Sequence, residues 1–126
     1  MTEIAHIHYS RSRRVLALKF VDGAEGELSA ELLRVYSPSA EVRGHGPGQE
    51  VLQVGKKNVA IVDIRQAGHY AVQLVFDDGH DSGIYTWDYL KDLLHHRESH
   101  WQRYLQQLAG AGKSRDPDTQ VLHFQP

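Results

Sequence analysis

The chain holds its densest group of chemically capable side chains in FDDGHDSGIYTWDYLKDLL, residues 76–94. This stretch has one histidine, His80, and five aspartates, of which Asp77, Asp78, Asp81 and Asp88 lie in the turn or at the start of the predicted helix and Asp92 lies within it. Carboxylates beside an imidazole can bind a metal ion or form a general acid–base pair, because both chemistries need ionisable groups held close together. The same residues also suit an ordinary glycine-containing turn between a strand and a helix. The partners that other segments bring to this turn decide between these interpretations.

Two other motifs could carry chemistry, but neither has the required spacing. GQEVLQVGKKN contains Gly-Lys, yet Lys57 follows Lys56 where a phosphate-binding loop needs Ser or Thr. His96 and His100 lie one helical turn apart, a separation that can hold zinc, but Glu98 does not directly follow the first histidine as in zinc proteases. Histidines on the polar face of a helix are the simpler interpretation. The sequence also has no Gly-x-Ser-x-Gly motif, which argues against a hydrolase of that type.

The composition argues against several classes of protein. The 126 residues include 14 Lys and Arg against 16 Asp and Glu, a net charge of −2, so no overall field attracts nucleic acids or anionic membranes. The absence of cysteine excludes disulfides, thiolate nucleophiles and thiolate-held zinc or iron–sulfur clusters. No segment resembles a signal peptide or approaches the ~20 apolar residues of a membrane span. We therefore expect a soluble cytoplasmic protein without a cofactor.

The secondary-structure elements that must position this turn are mostly strands, and the long helical region follows them in the chain. Alternating apolar residues predict strands at 4–8, 15–21, 59–65, 70–76 and 83–85. Ser29 and Thr86 occupy N-cap positions, before a short helix at 30–36 and a long helical region that ends near Leu108. The polar run HHRESH leaves open whether that region is one helix or breaks near Ser99. This order predicts an α+β fold with an antiparallel sheet, in one domain of residues 1–109 followed by a flexible tail, residues 110–126.

Two segments carry a resemblance to a known family. ELLRVYSPSAEVRGHGPGQ, residues 31–49, and VFDDGHDSGIYTWDYL, residues 75–90, resemble the gamma-butyrobetaine hydroxylase-like N-terminal domain family. The similarity extends from about residue 7 to 108. Bacterial members of this family are mostly small stand-alone proteins of unknown function. Eukaryotic relatives carry the domain in front of the oxygenase domain of gamma-butyrobetaine and trimethyllysine hydroxylases, and a related domain is fused to some ATPases of the iron–sulfur carrier type.

The resemblance implies a structural zinc site in the hydroxylases, and this chain lacks its main ligands. In those relatives a Cys-Pro-Cys-x-x-Cys segment and a histidine bind the zinc. The histidine falls on His80, and the three cysteines fall on Ser37, Ser39 and Val42. Serine is a poor zinc ligand at neutral pH and valine cannot coordinate, so we expect no tetrahedral zinc. We expect His80 instead to form hydrogen bonds across the cleft between SPSAEV and the turn.

The resemblance leaves other interpretations of the turn open. FDDGHDSG can be a well-formed turn with no further role. Asp78 and His80 can also bind a hard or borderline ion weakly, together with Glu41 or His45. The chemistry of the hydroxylases is not carried over, because their iron and 2-oxoglutarate ligands belong to a different domain.

We predict a small non-catalytic accessory module that binds a protein partner. The sequence gives neither the identity of the partner nor the oligomeric state of the chain. A link to metal or iron–sulfur metabolism follows from family analogy alone. The expected binding cleft is formed by the two motifs and consists of Arg34, Tyr36, Ser37, Ser39, Glu41, Arg43, His45, Asp78, His80 and Trp87.

Two alternatives come from other classes of protein. The first is a metal-binding protein or metal-dependent enzyme that uses His80 and nearby carboxylates. The second is a nucleic-acid-binding module, for which the balanced charge is unfavourable, with Arg11, Arg13, Arg14, Lys56 and Lys57 as the contacts.

Overall fold

Two three-stranded antiparallel sheets form the framework of the domain. The computed structural model describes residues 2–117. The first sheet has the order β1-β2-β3 and the second has the order β4-β5-β6. The strands are β1 Ile4–Ser10, β2 Val15–Phe20, β3 Glu25–Ser29, β4 Ile61–Gln66, β5 Ala71–Phe76 and β6 Ile84–Thr86. The predicted α+β class with antiparallel strands is confirmed, and the strands are divided between two sheets.

Helices connect the two sheets and continue after the last strand. They are α1 Ala30–Val35, α2 Ala40–Arg43, α3 Trp87–His95 and α4 Arg97–Ala111. The predicted short helix after β3 and the predicted helical region after β6 are both present. The break between α3 and α4 falls at His96, with φ −116° and ψ 23°, a few residues before Ser99. The sequence does not predict α2, because four residues are too few to show a helical period.

Side-chain caps determine where α1 and α3 begin. Ser29 Oγ accepts a hydrogen bond from the Leu32 N–H at 3.0 Å, and Thr86 Oγ1 accepts one from the Tyr89 N–H at 3.0 Å. Each bond satisfies an amide that the start of a helix leaves without an intrahelical partner. Both caps agree with the sequence prediction. The Thr86 cap fixes the junction between β6 and α3, which follows the turn that carries His80.

The main core joins the inner faces of both sheets with α1 and α3. Its buried side chains include alternating residues of β2 and β5 and the apolar stripe of α3: Leu16, Leu18, Phe20, Val72, Leu74, Phe76, Leu90, Leu93 and Leu94. A smaller cluster contains Val35, Tyr104 and Leu108. These are the faces that the strand alternation and the helical spacing predict. Tyr70 is an exception, since it is 56% exposed and lies in the hairpin turn before β5.

The linker between α2 and β4, residues 44–60, contains no helix or strand and is nevertheless attached to the domain. The Tyr104 hydroxyl donates to the Gln53 carbonyl at 2.8 Å, and the Gly55 N–H donates to the Ser114 carbonyl at 2.9 Å. Long connections without regular structure in a small domain are often functional. Here the linker passes between α4 and the segment that follows α4.

The residues after α4 contact the domain where the sequence predicts a flexible tail. α4 continues to Ala111 and ends at Gly112, which has φ 65°. Arg115 donates two hydrogen bonds to the buried Glu31 carboxylate, at 2.7 and 2.8 Å, and its guanidinium lies 4.8 Å from the centre of the Trp101 ring. Hydrophobic patterning does not reveal such an ion pair, which explains the difference. The domain boundary after residue 109 stays a prediction, and residues 118–126, including the apolar VLHF, lie outside the described residues.

We expect Arg115→Ala to lower the free energy of unfolding by about 2 kcal/mol, because the buried Glu31 carboxylate loses its charged partner. Urea denaturation followed by circular dichroism measures the change. Lys113→Ala removes an exposed cation from the same segment and is the matched control, with an expected change below about 0.5 kcal/mol. Equal stability of Arg115→Ala and the wild type would contradict a structural role for residues 113–117.

Candidate functional site

The turn between β5 and β6 uses its aspartates to shape its own backbone. The Asp78 carboxylate accepts a hydrogen bond from the His80 N–H at 3.0 Å, and the Asp77 carboxylate accepts one from the Ala60 N–H at 3.1 Å. The Phe76 N–H donates to the His80 carbonyl at 2.9 Å, which closes the turn. These bonds direct the His80 side chain towards the segment between α1 and α2.

His80 forms hydrogen bonds with two residues of SPSAEV. Its Nε2 lies 2.8 Å from Ser37 Oγ, and its Nδ1 lies 3.1 Å from a carboxylate oxygen of Glu41. The His80 side chain is 2% exposed and Ser37 is 1% exposed, whereas the Glu41 side chain is 69% exposed. The two motifs therefore face each other, as the resemblance implies.

The protonation state of His80 follows from its surroundings. Burial is the main cause that lowers its pKa, and the positive charge of Arg34 lowers it further, while Glu41 acts in the opposite direction. The imidazole is therefore neutral at pH 7. A single tautomer satisfies the network: Nδ1–H donates to Glu41, and Nε2 accepts from the Ser37 hydroxyl. The Ser37 oxygen in turn accepts from the Ser39 N–H at 3.3 Å.

Asp78 joins the turn to α1 and to the linker. Its carboxylate accepts a hydrogen bond from Arg34 Nε at 2.8 Å and one from Lys56 Nζ at 2.6 Å. Burial alone would raise the pKa of Asp78. The hydrogen bonds from Lys56, the His80 N–H and Arg34 outweigh burial and lower this pKa to about 2. Arg34, whose side chain is 9% exposed, also donates to the Gln53 side chain at 3.0 Å.

The remaining residues of the expected cleft fall into separate groups. Tyr36 and Arg43 lie on a neighbouring surface with Tyr89, and the Arg43 guanidinium is 4.9 Å from the centre of the Tyr89 ring. His45 is exposed on the linker. Trp87 is 8% exposed, belongs to the core and donates to the His69 carbonyl at 3.2 Å. It therefore anchors the β4–β5 hairpin turn, and it does not border the His80 network.

Three residues next to the His80 network, Ser82, Lys56 and Gln53, are not among the residues of the predicted cleft. Ser82 Oγ lies 2.7 Å from Ser39 Oγ, so the second serine of SPSAEV is paired with the turn. Lys56 and Gln53 belong to the linker, whose path the sequence does not specify. Asp78 was one available signal for Lys56, because a partly buried carboxylate needs cationic partners.

The order Ser37, His80, Glu41 resembles the hydrogen-bonded chain of a serine hydrolase, but its burial is reversed. In a hydrolase the serine must be open to the substrate and the carboxylate orients the histidine from behind. Here the serine is buried and the carboxylate is exposed. A Cβ atom placed on Gly83 would lie 2.5 Å from Ser37 Oγ, so backbone already fills the space beside the hydroxyl. This geometry does not support nucleophilic catalysis.

The residues at the position where the resemblance implies a zinc ion in the hydroxylases do not fit a zinc ion. The Ser37 and Ser39 oxygens are hydrogen-bonded to His80 and Ser82, and the Val42 side chain is apolar and buried. Among residues 2–117, no three His, Asp or Glu side chains converge as metal ligands would. The ion suggested for Asp78 and His80 also lacks support, because Asp78 already accepts from two cationic side chains.

A small α+β domain with a buried serine–histidine network is the class that this fold and site define. The chain belongs to the family described as gamma-butyrobetaine hydroxylase-like, N-terminal, whose profile matches residues 7–91. This finding confirms the resemblance drawn from the two motifs.

Solved structures agree with this assignment. One NMR solution structure of a protein is 48% identical to the chain, with a TM-score of 0.82, and covers 100% of this chain and 99% of that one. A second NMR structure, also 48% identical, has a TM-score of 0.80 and covers 93% and 87%. A crystal structure from Acidithiobacillus ferrooxidans ATCC 23270, of a protein with unknown function in the DUF971 family, is 37% identical. Its TM-score is 0.62, and the match covers 73% of this chain and 92% of that one.

Neither a curated relative nor, in the described part of the chain, a membrane-spanning helix is found. No curated protein matches the chain. None of the helices between residues 2 and 117 is long and apolar enough to cross a membrane.

We expect the domain to lose stability as the pH falls below about 6.5, the ordinary pKa of histidine, because the unfolded state binds a proton that folded His80 resists. The contribution of neutral His80 is fully present above that pH and is lost as the pH falls towards the lower pKa of the folded state. His100, whose pKa burial also lowers, acts in the same direction. Urea denaturation between pH 8 and pH 5 measures the slope. His80→Gln should give a shallower slope, and an unchanged slope would contradict a neutral, buried His80.

We expect the triple variant Ser37→Cys, Ser39→Cys, Val42→Cys to bind one zinc ion per chain, because His80 already faces this segment. The variant should melt at a higher temperature when zinc is present, since a ligand bound by the folded state alone stabilises that state. Elemental analysis and thermal denaturation with and without a chelator provide the measurements.

Adding His80→Ala to the triple variant is the control and should sharply weaken zinc binding. Tight zinc in the wild type would contradict our assignment of the site. A triple variant without zinc would show that the three positions cannot converge with His80 on one ion.

Proposed function

We propose that this chain is a non-catalytic interaction module that binds a protein partner. The observation that carries the proposal is the burial of Ser37 and His80, whose polar atoms bind each other and neighbouring groups of the chain. Groups arranged in this way stabilise a shape and do not meet a substrate. The functional surface is then the exposed part of the domain next to this network.

The proposal treats the network as support for exposed side chains. The Ser39 hydroxyl caps α2 by accepting from the Glu41 N–H at 3.2 Å, and the Glu41 side chain binds His80. α2 is therefore fixed at its first turn, and Arg43 at its end is held over the Tyr89 ring. Exposed arginine and tyrosine side chains are enriched in protein interfaces.

A role in metal or iron–sulfur metabolism is part of the proposal only through family analogy. The metal-dependent alternative has less support, because the donor set around His80 does not fit a metal ion. A nucleic-acid role is supported only by the five cations Arg11, Arg13, Arg14, Lys56 and Lys57. Of these, Arg13 is paired with Glu27 and the partly buried Lys56 is paired with Asp78.

Affinity capture from native cells tests the proposal, followed by reconstitution of the complex from two purified proteins. We expect a partner that binds the purified chain with 1:1 or another fixed stoichiometry. Ser37→Ala, if folded, should retain this binding, because the hydroxyl is buried. Failure of every captured protein to bind the purified chain, or stoichiometric metal in natively purified protein, would contradict the proposal.

A further inference from the structure

Two arginines with no carboxylate partner among residues 2–117 lie at the two ends of a row of rings. Arg43 ends α2 and lies over the ring of Tyr89. The Tyr89 hydroxyl donates to the Tyr36 carbonyl, and the Tyr36 ring lies 4.8 Å from the ring of His100, measured between centres. Arg103 is one helical turn after His100 on α4. These five residues, from three helices and the end of a fourth, are called the Arg–Tyr surface below.

The rings of the Arg–Tyr surface are held rigidly. Both tyrosine hydroxyls donate to backbone carbonyls, Tyr89 to Tyr36 and Tyr36 to His100 at 2.7 Å. A hydroxyl held in this way fixes the plane of its ring, so the surface loses little side-chain freedom when a partner binds. Rigid, half-buried rings beside arginines are the composition of binding hot spots.

The arginines are available to a partner. Both side chains are exposed, and no ion pair involves either of them in the part of the chain described. A guanidinium stacked on a ring keeps its N–H edge free for a carboxylate. Arg43 therefore has one face covered by the Tyr89 ring and is also hydrogen-bonded to the Tyr89 side chain, while no carboxylate among residues 2–117 forms an ion pair with it.

The pKa of His100 responds to the positive charge of this surface. Burial is the main cause that lowers the pKa of His100, and the charge of Arg103 lowers it further. Its Nδ1 is buried and lacks a hydrogen-bond partner within residues 2–117. The charged groups that face it are Arg103, the more distant His96, and Asp92, whose carboxylate lies 3.9 Å from His100 Nε2. Asp92 raises the pKa of His100, but burial and the charge of Arg103 outweigh it.

We propose that the Arg–Tyr surface binds an acidic peptide segment of a partner protein, with Arg43 and Arg103 each binding a carboxylate and the rings of Tyr36 and Tyr89 contacting the intervening side chains. This inference rests on the proposed interaction function and identifies its surface and the chemistry of its partner. Charge complementarity favours an acidic occupant, because Arg43 and Arg103 are exposed and neither forms an ion pair among residues 2–117.

Titration with a defined peptide tests the proposal. The probe is a ten-residue peptide, blocked at both ends, in which Glu and Asp alternate with Leu and Ser, and the control peptide carries Gln and Asn in place of the acids. We expect the acidic peptide to shift the amide NMR signals of residues 36, 43, 89, 100 and 103, with binding that weakens as salt rises. The control peptide should produce no such shifts.

Arg43→Ala and Arg103→Ala should each weaken binding of the acidic peptide about tenfold, since each removes a charge-assisted pair of hydrogen bonds. Arg43→Lys should lose part of the affinity, because lysine keeps the charge but not the planar stack. Arg11→Ala combined with Arg14→Ala removes two exposed cations elsewhere and should leave binding unchanged. Thermal denaturation checks that every variant is folded.

The pKa of His100 gives a readout that is independent of affinity. A bound carboxylate should raise this pKa, which an imidazole proton titration with and without the peptide measures.

Three outcomes would overturn the proposal: no localised shifts, shifts centred on other residues, or equal affinity in the Arg43 and Arg103 variants and the wild type. A single-stranded oligonucleotide of ten bases is titrated in parallel, and binding of this probe but not of the peptide would also overturn it. If a reconstituted partner binds the Arg43 and Arg103 variants as tightly as the wild type, the Arg–Tyr surface is not the binding surface, and the interaction function still stands. If no partner is found, the interaction function itself is refuted.

Discussion

The carboxylate of Asp78 is the junction through which the turn, the first helix and the linker are joined. It accepts hydrogen bonds from Arg34, from Lys56 and from the His80 N–H. A half-buried carboxylate with two cations and an amide is stable only if all three segments keep their places, because a missing partner leaves a charge uncompensated. The position of His80 follows from this junction, since the amide that Asp78 holds is that of His80.

The network at His80 lies where the resemblance to the hydroxylases implies a structural zinc ion, and here it consists of hydrogen bonds. Structural zinc contributes about 10–16 kcal/mol of apparent binding free energy in small domains, whereas a neutral hydrogen bond contributes about 0.5–1.5 kcal/mol. The bonds among Ser37, Ser39, Ser82 and His80 therefore cannot replace the energy of a metal. They satisfy groups that would otherwise be buried without partners, and the continuous core of both sheets with α3 supplies the stability.

The sequence predicts this protein well where interactions are local and less well where they are not. Local features are visible in the sequence because they depend on residues that are close in the chain. Examples are the helix caps at Ser29 and Thr86 and the β4–β5 hairpin. The contact between His80 and SPSAEV spans 43 residues, and a family resemblance, not a physical pattern, predicted it. Trp87 was misplaced because a tryptophan at a helix start suits both a core and a binding rim. Arg115 was assigned to a tail because its partner, Glu31, lies 84 residues away.

The burial of Ser37 and His80 and the exposed position of Arg43 are two consequences of the same arrangement. α2 has only four residues, too few to be stable as an isolated helix. The Ser39 cap and the hydrogen bond that His80 donates to Glu41 compensate, because they fix the first turn of α2 to the β5–β6 turn. Arg43 at the other end of α2 is thereby held against Tyr89, which belongs to α3 and is itself bonded to the end of α1. The buried network thus holds an exposed arginine in one position on the surface of the domain.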